Sequence, residues 1–220
     1  MCGRVDLHTP AQEIAMRFEA VWSQSASQFV PGWNIAPTRP LLVVTQAGGE
    51  RLLQSATWGL LPHWAKDPAM VRPINARAET VAAKPMFRDA FRKARCLLPI
   101  DGFYEWQRDG AVRQPWYFHM RDREPFALAG LLSQWCPATG QPLDSCAVIT
   151  TSANTVMAPV HDRMPVIVAR VDWGAWLSGE TTLAEDLLRP FCGDGLVADR
   201  VSKRVNKASN DGPDLIEPEC

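Results

Sequence analysis

A cysteine at position 2, ahead of Gly3 and Arg4, becomes chemically distinctive if Met1 is removed, because an α-amine and a thiol then share one residue. The amine has an ordinary pKa of about 7.7 to 8.0 and the thiol about 8.5, so neutral pH leaves a usable fraction of each nucleophile. An aldehyde is the natural target. The amine condenses with it to an imine, and the adjacent sulfur closes a five-membered thiazolidine ring, which neither a lysine nor an internal cysteine can do. A cysteine here can equally be an incidental residue of a frayed terminus. Its meaning depends on what accompanies it.

Three islands set polar side chains among apolar ones where a plain core needs none: Asn75-Ala-Arg77-Ala-Glu79, Gly102-Phe-Tyr-Glu105-Trp106 and His161-Asp-Arg163-Met-Pro165. Glu105 stands in a predicted strand and points either outward or into a sheltered pocket. Only the pocket would raise its pKa and suit it to general acid/base work. His161, in a loop just before a strand, could protonate or steady a reacting oxygen. Asn75 could orient a chain terminus without bringing charge, or simply serve a turn. Arg77 and Arg163 carry rigid donor forks suited to phosphate, although Glu79 and Asp162 offer them structural ion pairs. Trp33 and Trp64 fall in loops, where an indole could stack on an unpaired base. Nine tryptophans make core packing the ordinary role for most of the others.

These residues need a scaffold, and the pattern predicts one. Thr9-Pro10-Ala11-Gln12 reads as an N-cap opening a helix whose face carries Ile14, Phe18 and Val21/Trp22. Leu41–Thr45 and Arg51–Trp58, turned by Gly48-Gly49, form a hairpin. Between Pro62 and Pro73 a proline-broken loop holds His63, Trp64, Lys66 and Arg72. A helix through Phe87 and Phe91 follows, then strands at 97–100, 103–107, 116–120, 126–135 and 147–151. Their short spacing, with Asp109-Gly110 the strongest turn signal, implies antiparallel neighbours. A strand at 165–168, helices capped by Asp172 and by Thr182-Leu-Ala-Glu185, and a strand near 196–201 complete the pattern. The expected class is α+β, a mostly antiparallel sheet or barrel-like core flanked by helices. Residues 1–205 are expected to form a single domain, and 206–220 a disordered polar tail.

Composition narrows the function classes. The 220 residues, 46% hydrophobic, suffice for a real core, and no apolar run approaches the about 18 to 20 residues that span a bilayer. A soluble, cytoplasmic protein with no membrane partner is expected, nucleoid-associated if bacterial. Six cysteines form no Cys-x-x-Cys pair, and their spacing with the four histidines gives no zinc pattern, so reduced thiols, no metal and no cofactor are expected. The net charge of −1 hides a polarised chain: residues 66–95 hold eight Lys/Arg against three acids, whereas 172–199 hold six acids against Arg189 alone. The basic run contains Arg88, Arg92 and Arg95 at helical spacing, so it also reads as one solvated helix face.

Taken in order, the islands resemble a known family. Met-Cys-Gly-Arg at the start, Trp33-Asn-Ile-Ala-Pro-Thr38, Trp58-Gly-Leu-Leu-Pro62 with Trp64, Asn75-Ala-Arg-Ala-Glu-Thr80, Asp101-Gly-Phe-Tyr-Glu-Trp106, Thr150-Thr151 with Ala153-Asn154, and His161-Asp-Arg-Met-Pro165 together look like the SOS response-associated peptidase (SRAP) family of abasic-site processing proteins. The resemblance implies that Met1 is removed by the protein itself, and that Cys2 traps the ring-opened aldehyde of an abasic site in single-stranded DNA as a thiazolidine crosslink. By position it implies that Asn75 orients Cys2, that Glu105 acts as acid/base in imine formation and reversal, and that His161 helps open the sugar. Arg4, Arg77 and Arg163 would hold phosphates, Trp64 would line the strand channel, and a β-elimination would be a side activity. The expected state is a monomer. Two rival readings stand beside it: an N-terminal-nucleophile thiol hydrolase, which needs an oxyanion hole, and a non-catalytic single-strand-binding module.

Overall fold

The structure is a computed structural model that describes residues 2–110 and 112–219, with the backbone alone at positions 108, 109 and 112. In chain order its elements are β1 (Val5–Leu7), α1 (Ala11–Arg17), β2 (Ala20–Trp22), β3 (Gly32–Ile35), β4 (Pro40–Ala47), β5 (Glu50–Trp58), β6 (Asn75–Arg77), α2 (Arg88–Lys93), β7 (Arg95–Ile100), β8 (Gly102–Asp109), β9 (Val112–Met120), β10 (Phe126–Trp135), β11 (Leu143–Ser152), β12 (Arg163–Pro165), β13 (Ile167–Val168), α3 (Trp173–Ser178), α4 (Thr181–Asp186) and β14 (Leu196–Arg200). The class is α+β, as the pattern predicts. Among the described residues no helix is long and apolar enough to cross a membrane.

Two sheets make up the molecule. The larger runs β12-β11-β10-β7-β4-β5-β2, and a parallel pairing of β11 with β5 (Ser145 with Thr57, Cys146 with Trp58) closes β5, β4, β7, β10 and β11 into a ring. Such closure removes the free edges that an open sheet exposes. The continuous buried runs of β4, β7, β10 and β11 show that this sheet is covered on both faces, and the Trp176 indole Nε1 donates to the Cys96 carbonyl at 2.8 Å. The smaller sheet, ordered β14-β9-β8-β1-β3, lies beside it. The β4–β5 hairpin turns at Gly48 and Gly49, whose φ angles of 59° and 89° suit residues without a Cβ. The second predicted turn has Gly110 at φ 57°; its neighbour Ala111 lies outside the described residues.

Several local expectations give way to tertiary contacts. The first helix stops at Arg17, and Val21 and Trp22 form β2, which pairs in parallel with β5. The Thr9 hydroxyl makes no cap; it donates to Asp101 at 2.6 Å, a residue 92 positions away. Arg95 is not on a solvated helix face but buried at the start of β7, where it donates to the carbonyls of Phe91 (2.8 Å) and Trp176 (2.6 Å) and so ties α2 and α3 to the sheet. The predicted capping box at Thr182 is unused, because α4 begins at Thr181 with no side-chain cap.

The tail beyond residue 206, expected to be disordered, is docked. Asn34 donates to the carbonyls of Lys207 (3.2 Å) and Asn210 (2.8 Å), Asp211 accepts from the Trp33 amide (2.7 Å), and Val201 bridges to Pro218. Leu215 completes a small second core with Tyr104, Tyr117, Val201 and Val205. A polar composition hides this, since one buried leucine and a few paired backbone groups are enough to order a short segment.

Candidate active site

The N-terminal strand positions the site. β1 pairs antiparallel with β8 (Val5 with Phe103, Asp6 with Gly102), and the Tyr104 amide donates to the Arg4 carbonyl at 3.0 Å, so the residues before Val5 run alongside the Glu105 end of β8. The other end of β1 is clamped. Asp101 accepts from the amides of His8 (2.7 Å) and Thr9 (2.8 Å) and from the Thr9 hydroxyl, and its own amide donates to the Asp6 carbonyl at 2.9 Å. Asp6, fully buried, accepts from the Tyr117 hydroxyl at 2.6 Å and lies 2.9 Å from His8 Nδ1. Burial pushes the Asp6 carboxyl up, and the hydrogen bond to Asp6 raises His8 above its ordinary range. Asp6, His8 and Asp101 hold ligand-type atoms within 4.8 Å of one another, a spacing a metal ion could use. Their oxygens are already spent on Tyr117, Thr9 and backbone amides, an arrangement that serves as a clamp.

Cys2 sits where the two sheets meet. Its carbonyl accepts a hydrogen bond from Asn75 Nδ2 at 2.8 Å, and Asn75 opens β6, which pairs in parallel with β11 (Asn75 with Val148). The Cys2 side chain is wholly buried. Burial pushes its thiol far above the usual range, the Glu105 charge adds to this, and a hydrogen bond from the Arg4 backbone opposes both. Glu105 is 3% exposed on β8, opposite Trp116. A thiol held protonated needs a proton acceptor as it attacks. Met1 lies outside the described residues.

His161 approaches from another loop. Asn154 Oδ1 accepts from the Met157 amide at 2.9 Å and starts a turn that ends with the His161 amide on the Met157 carbonyl at 3.0 Å. Gln107, two residues along β8 from Glu105 and so on its face, donates to the Pro159 carbonyl at 3.0 Å and holds this loop against the strand. His161 Nδ1 accepts from the Arg163 amide at 2.9 Å. The Asp162 carboxylate lies at the same distance from Nδ1, with its side chain 88% exposed.

The arginines divide. Arg163 on β12 grips Glu79 with both Nη atoms and reaches the Thr150 carbonyl at 2.6 Å. Arg77, at the end of β6, is exposed. Arg4 turns inward: Nη1 donates to Asn34 Oδ1 (2.6 Å) and the Val205 carbonyl (2.9 Å), and its guanidinium lies 5.8 Å from the Trp106 ring centre. Trp64 is 47% exposed in the loop after β5 and stands apart from these contacts among the described residues. The fold thus brings Cys2, Asn75 and Glu105 together, ties the His161 loop to the Glu105 strand, and sets Arg77 two residues from Asn75 on β6 with the Arg163 fork on Glu79 just beyond that strand. Sequence reasoning assigned no role to Asn34, Asp101 or Thr150. Each lies inside one of the islands, which was the available signal.

Comparison with known proteins follows the same pattern. The family described as SOS response associated peptidase (SRAP) matches residues 1–208. Two proteins of Bacillus subtilis (strain 168) are both 37% identical to the chain: abasic site processing protein YoqW over 222 residues, 99% of each chain, and abasic site processing protein YoaM over 224 residues, 100% of this chain and 99% of the other. A crystal structure of a protein from Bacteroides thetaiotaomicron covers all of both chains with a TM-score of 0.90 at 24% identity, which shows a shared fold.

Proposed function

The chain belongs to the SRAP family, and from that premise we propose that it processes abasic sites in single-stranded DNA by covalent capture on Cys2. After the chain releases its own Met1, the Cys2 amine attacks the ring-opened aldehyde, and the carbinolamine loses water to give an imine. The sulfur then adds to the imine carbon while the thiol proton passes by way of Glu105 to the imine nitrogen, closing the thiazolidine. Run backwards, the same proton path releases the DNA. His161 assists opening of the sugar. β-Elimination from the imine is a side reaction of the same intermediate. Arg77 and Arg163 hold flanking phosphates, Arg4 steadies the segment between Cys2 and β1, and Trp64 lines the strand's path. The protein acts as a monomer in the cytoplasm or on the nucleoid.

The observation that carries this reading is the Asn75–Cys2 hydrogen bond of 2.8 Å, which fixes the first carbonyl of the mature chain beside a buried carboxylate. The burial of Cys2 supports a base-assisted thiol rather than a freely ionised one. A net charge of −1 suits a protein whose hold on DNA is completed by a covalent bond, since a purely electrostatic binder needs many more phosphate contacts. The test is incubation with a single strand carrying one abasic site, followed by a denaturing gel. The mature protein should give a retained adduct and Cys2→Ala none, with native binding largely kept. An adduct from Cys2→Ala refutes the proposal, and so does a mature protein that gives no adduct.

A further inference from the structure

Two guanidinium groups flank one carboxylate beyond the end of β6, and that carboxylate is the chain's own. Arg163 donates from Nη1 to Glu79 Oε1 at 2.5 Å and from Nη2 to Glu79 Oε2 at 3.0 Å, the two-pronged grip that a phosphate would also receive. Nη2 also reaches the Thr150 carbonyl, and the buried Nε has no partner among the described residues. The Arg163 side chain is only 15% exposed, whereas that of Glu79 is 53% exposed. Arg77 adds its positive charge to Glu79 from two residues away. The hydrogen bond from Arg163 holds the Glu79 carboxyl below the ordinary range, so it is charged at neutral pH.

A phosphate arriving here finds the fork engaged. Arg163 can offer paired donors outward only if Glu79 leaves, and leaving is easy for a half-exposed side chain on a three-residue 3-10 turn (Ala78–Thr80). The seat is well placed. Asn75 and Arg77 project from one face of β6, about 7 Å apart along the strand, and Asn75 holds Cys2.

We infer that Glu79 is a resident anion in an Arg77–Arg163 phosphate seat, displaced by a backbone phosphate of the strand and serving to keep undamaged single strands weakly bound. The inference rests on the strand-binding reading above. It makes Glu79 a specificity-determining residue: each DNA phosphate must compete with a carboxylate that is always present, so brief binding is discouraged while covalent capture is not.

The test measures fluorescence anisotropy of a labelled, undamaged oligo-dT strand with the mature protein between about 50 and 200 mM salt. Glu79→Gln keeps the shape and removes the charge. It should bind about fivefold tighter at low salt, with the log–log salt slope changed by less than about 0.7, because a phosphate takes the seat in both proteins. Glu79→Ala should act in the same direction, which guards against a local packing effect of glutamine. In an Arg163→Ala background the gain should vanish, because the two side chains act as a pair. Unchanged or weaker binding by Glu79→Gln overturns the inference and leaves Arg163 as a strut. A gain of equal size without Arg163 also overturns it, since Glu79 would then be only a repelling surface charge. If the wild type binds no strand at any salt, the strand-binding reading itself falls and takes this inference with it.

Discussion

Replacing Asn75 by aspartate changes two atoms' chemistry and almost no volume, which isolates the bond that holds Cys2. In the native protein Nδ2 donates to the Cys2 carbonyl at 2.8 Å, while the buried Oδ1 has no partner among the described residues. Asn75→Asp removes the donor and turns an acceptor toward an acceptor, beside the buried Glu105 carboxylate. The lost bond is worth about 1 kcal/mol and the stranded carbonyl about 1 to 2 more, so the positioned state loses roughly 2 to 3 kcal/mol. That slows capture by about 30- to 150-fold. Asn75→Ala loses the bond but opens room for water at the carbonyl, so about fivefold is expected. The assay is single-turnover adduct formation on an abasic strand with protein in excess, quenched into denaturant, with melting curves recorded beside it. The Asp variant should be the slower of the two, and its deficit should narrow as acid protonates the new carboxyl and restores a donor. An Asp variant within twofold of wild type, or an Ala variant slower than Asp, would refute the argument that this bond sets the geometry.

Two further outcomes follow from the clamp on β1. His8 is raised above its ordinary value of 6.5, chiefly by its hydrogen bond to Asp6, so its contribution to stability is complete below about pH 6.5 and is lost as pH climbs through the raised value. The melting temperature should therefore fall on going from about pH 6 to 9, and His8→Gln should flatten that fall; an unchanged profile would remove His8 as its source. Gly102→Ala would put a Cβ 2.3 to 2.4 Å from ring atoms of Tyr117, which is 1% exposed and bonded to Asp6. Urea unfolding should show a loss of about 2 to 3 kcal/mol, and a loss under about 0.5 would mean the strands part more freely than this packing allows.

What the sequence revealed and what it hid divide along contact distance. The β4–β5 hairpin was readable because Gly48-Gly49 and the flanking strands are neighbours in the chain. Thr9 misled because its hydroxyl had a local use as a cap and a distant one at Asp101, and the distant one prevailed. Val21 and Trp22 fitted a helical face, but β5 offered them a strand edge. The three islands fold to neighbouring places, and a list of residue types could suggest that Asn75, Glu105 and Cys2 belong together. It could not show that Arg4 is bonded to Asn34 and Val205, or that Glu79 sits in the Arg163 fork. Both depend on which neighbour a long, flexible guanidinium finds in three dimensions.

The most direct test is a mass spectrum of the protein after incubation with an abasic single strand, taken for two forms: one that begins at Cys2 and one with an uncleaved N-terminal extension. The account predicts a DNA adduct on the N-terminal peptide of the first form, surviving denaturation, and no adduct on the second. An adduct on the extended form, or one that maps to a lysine, would contradict it.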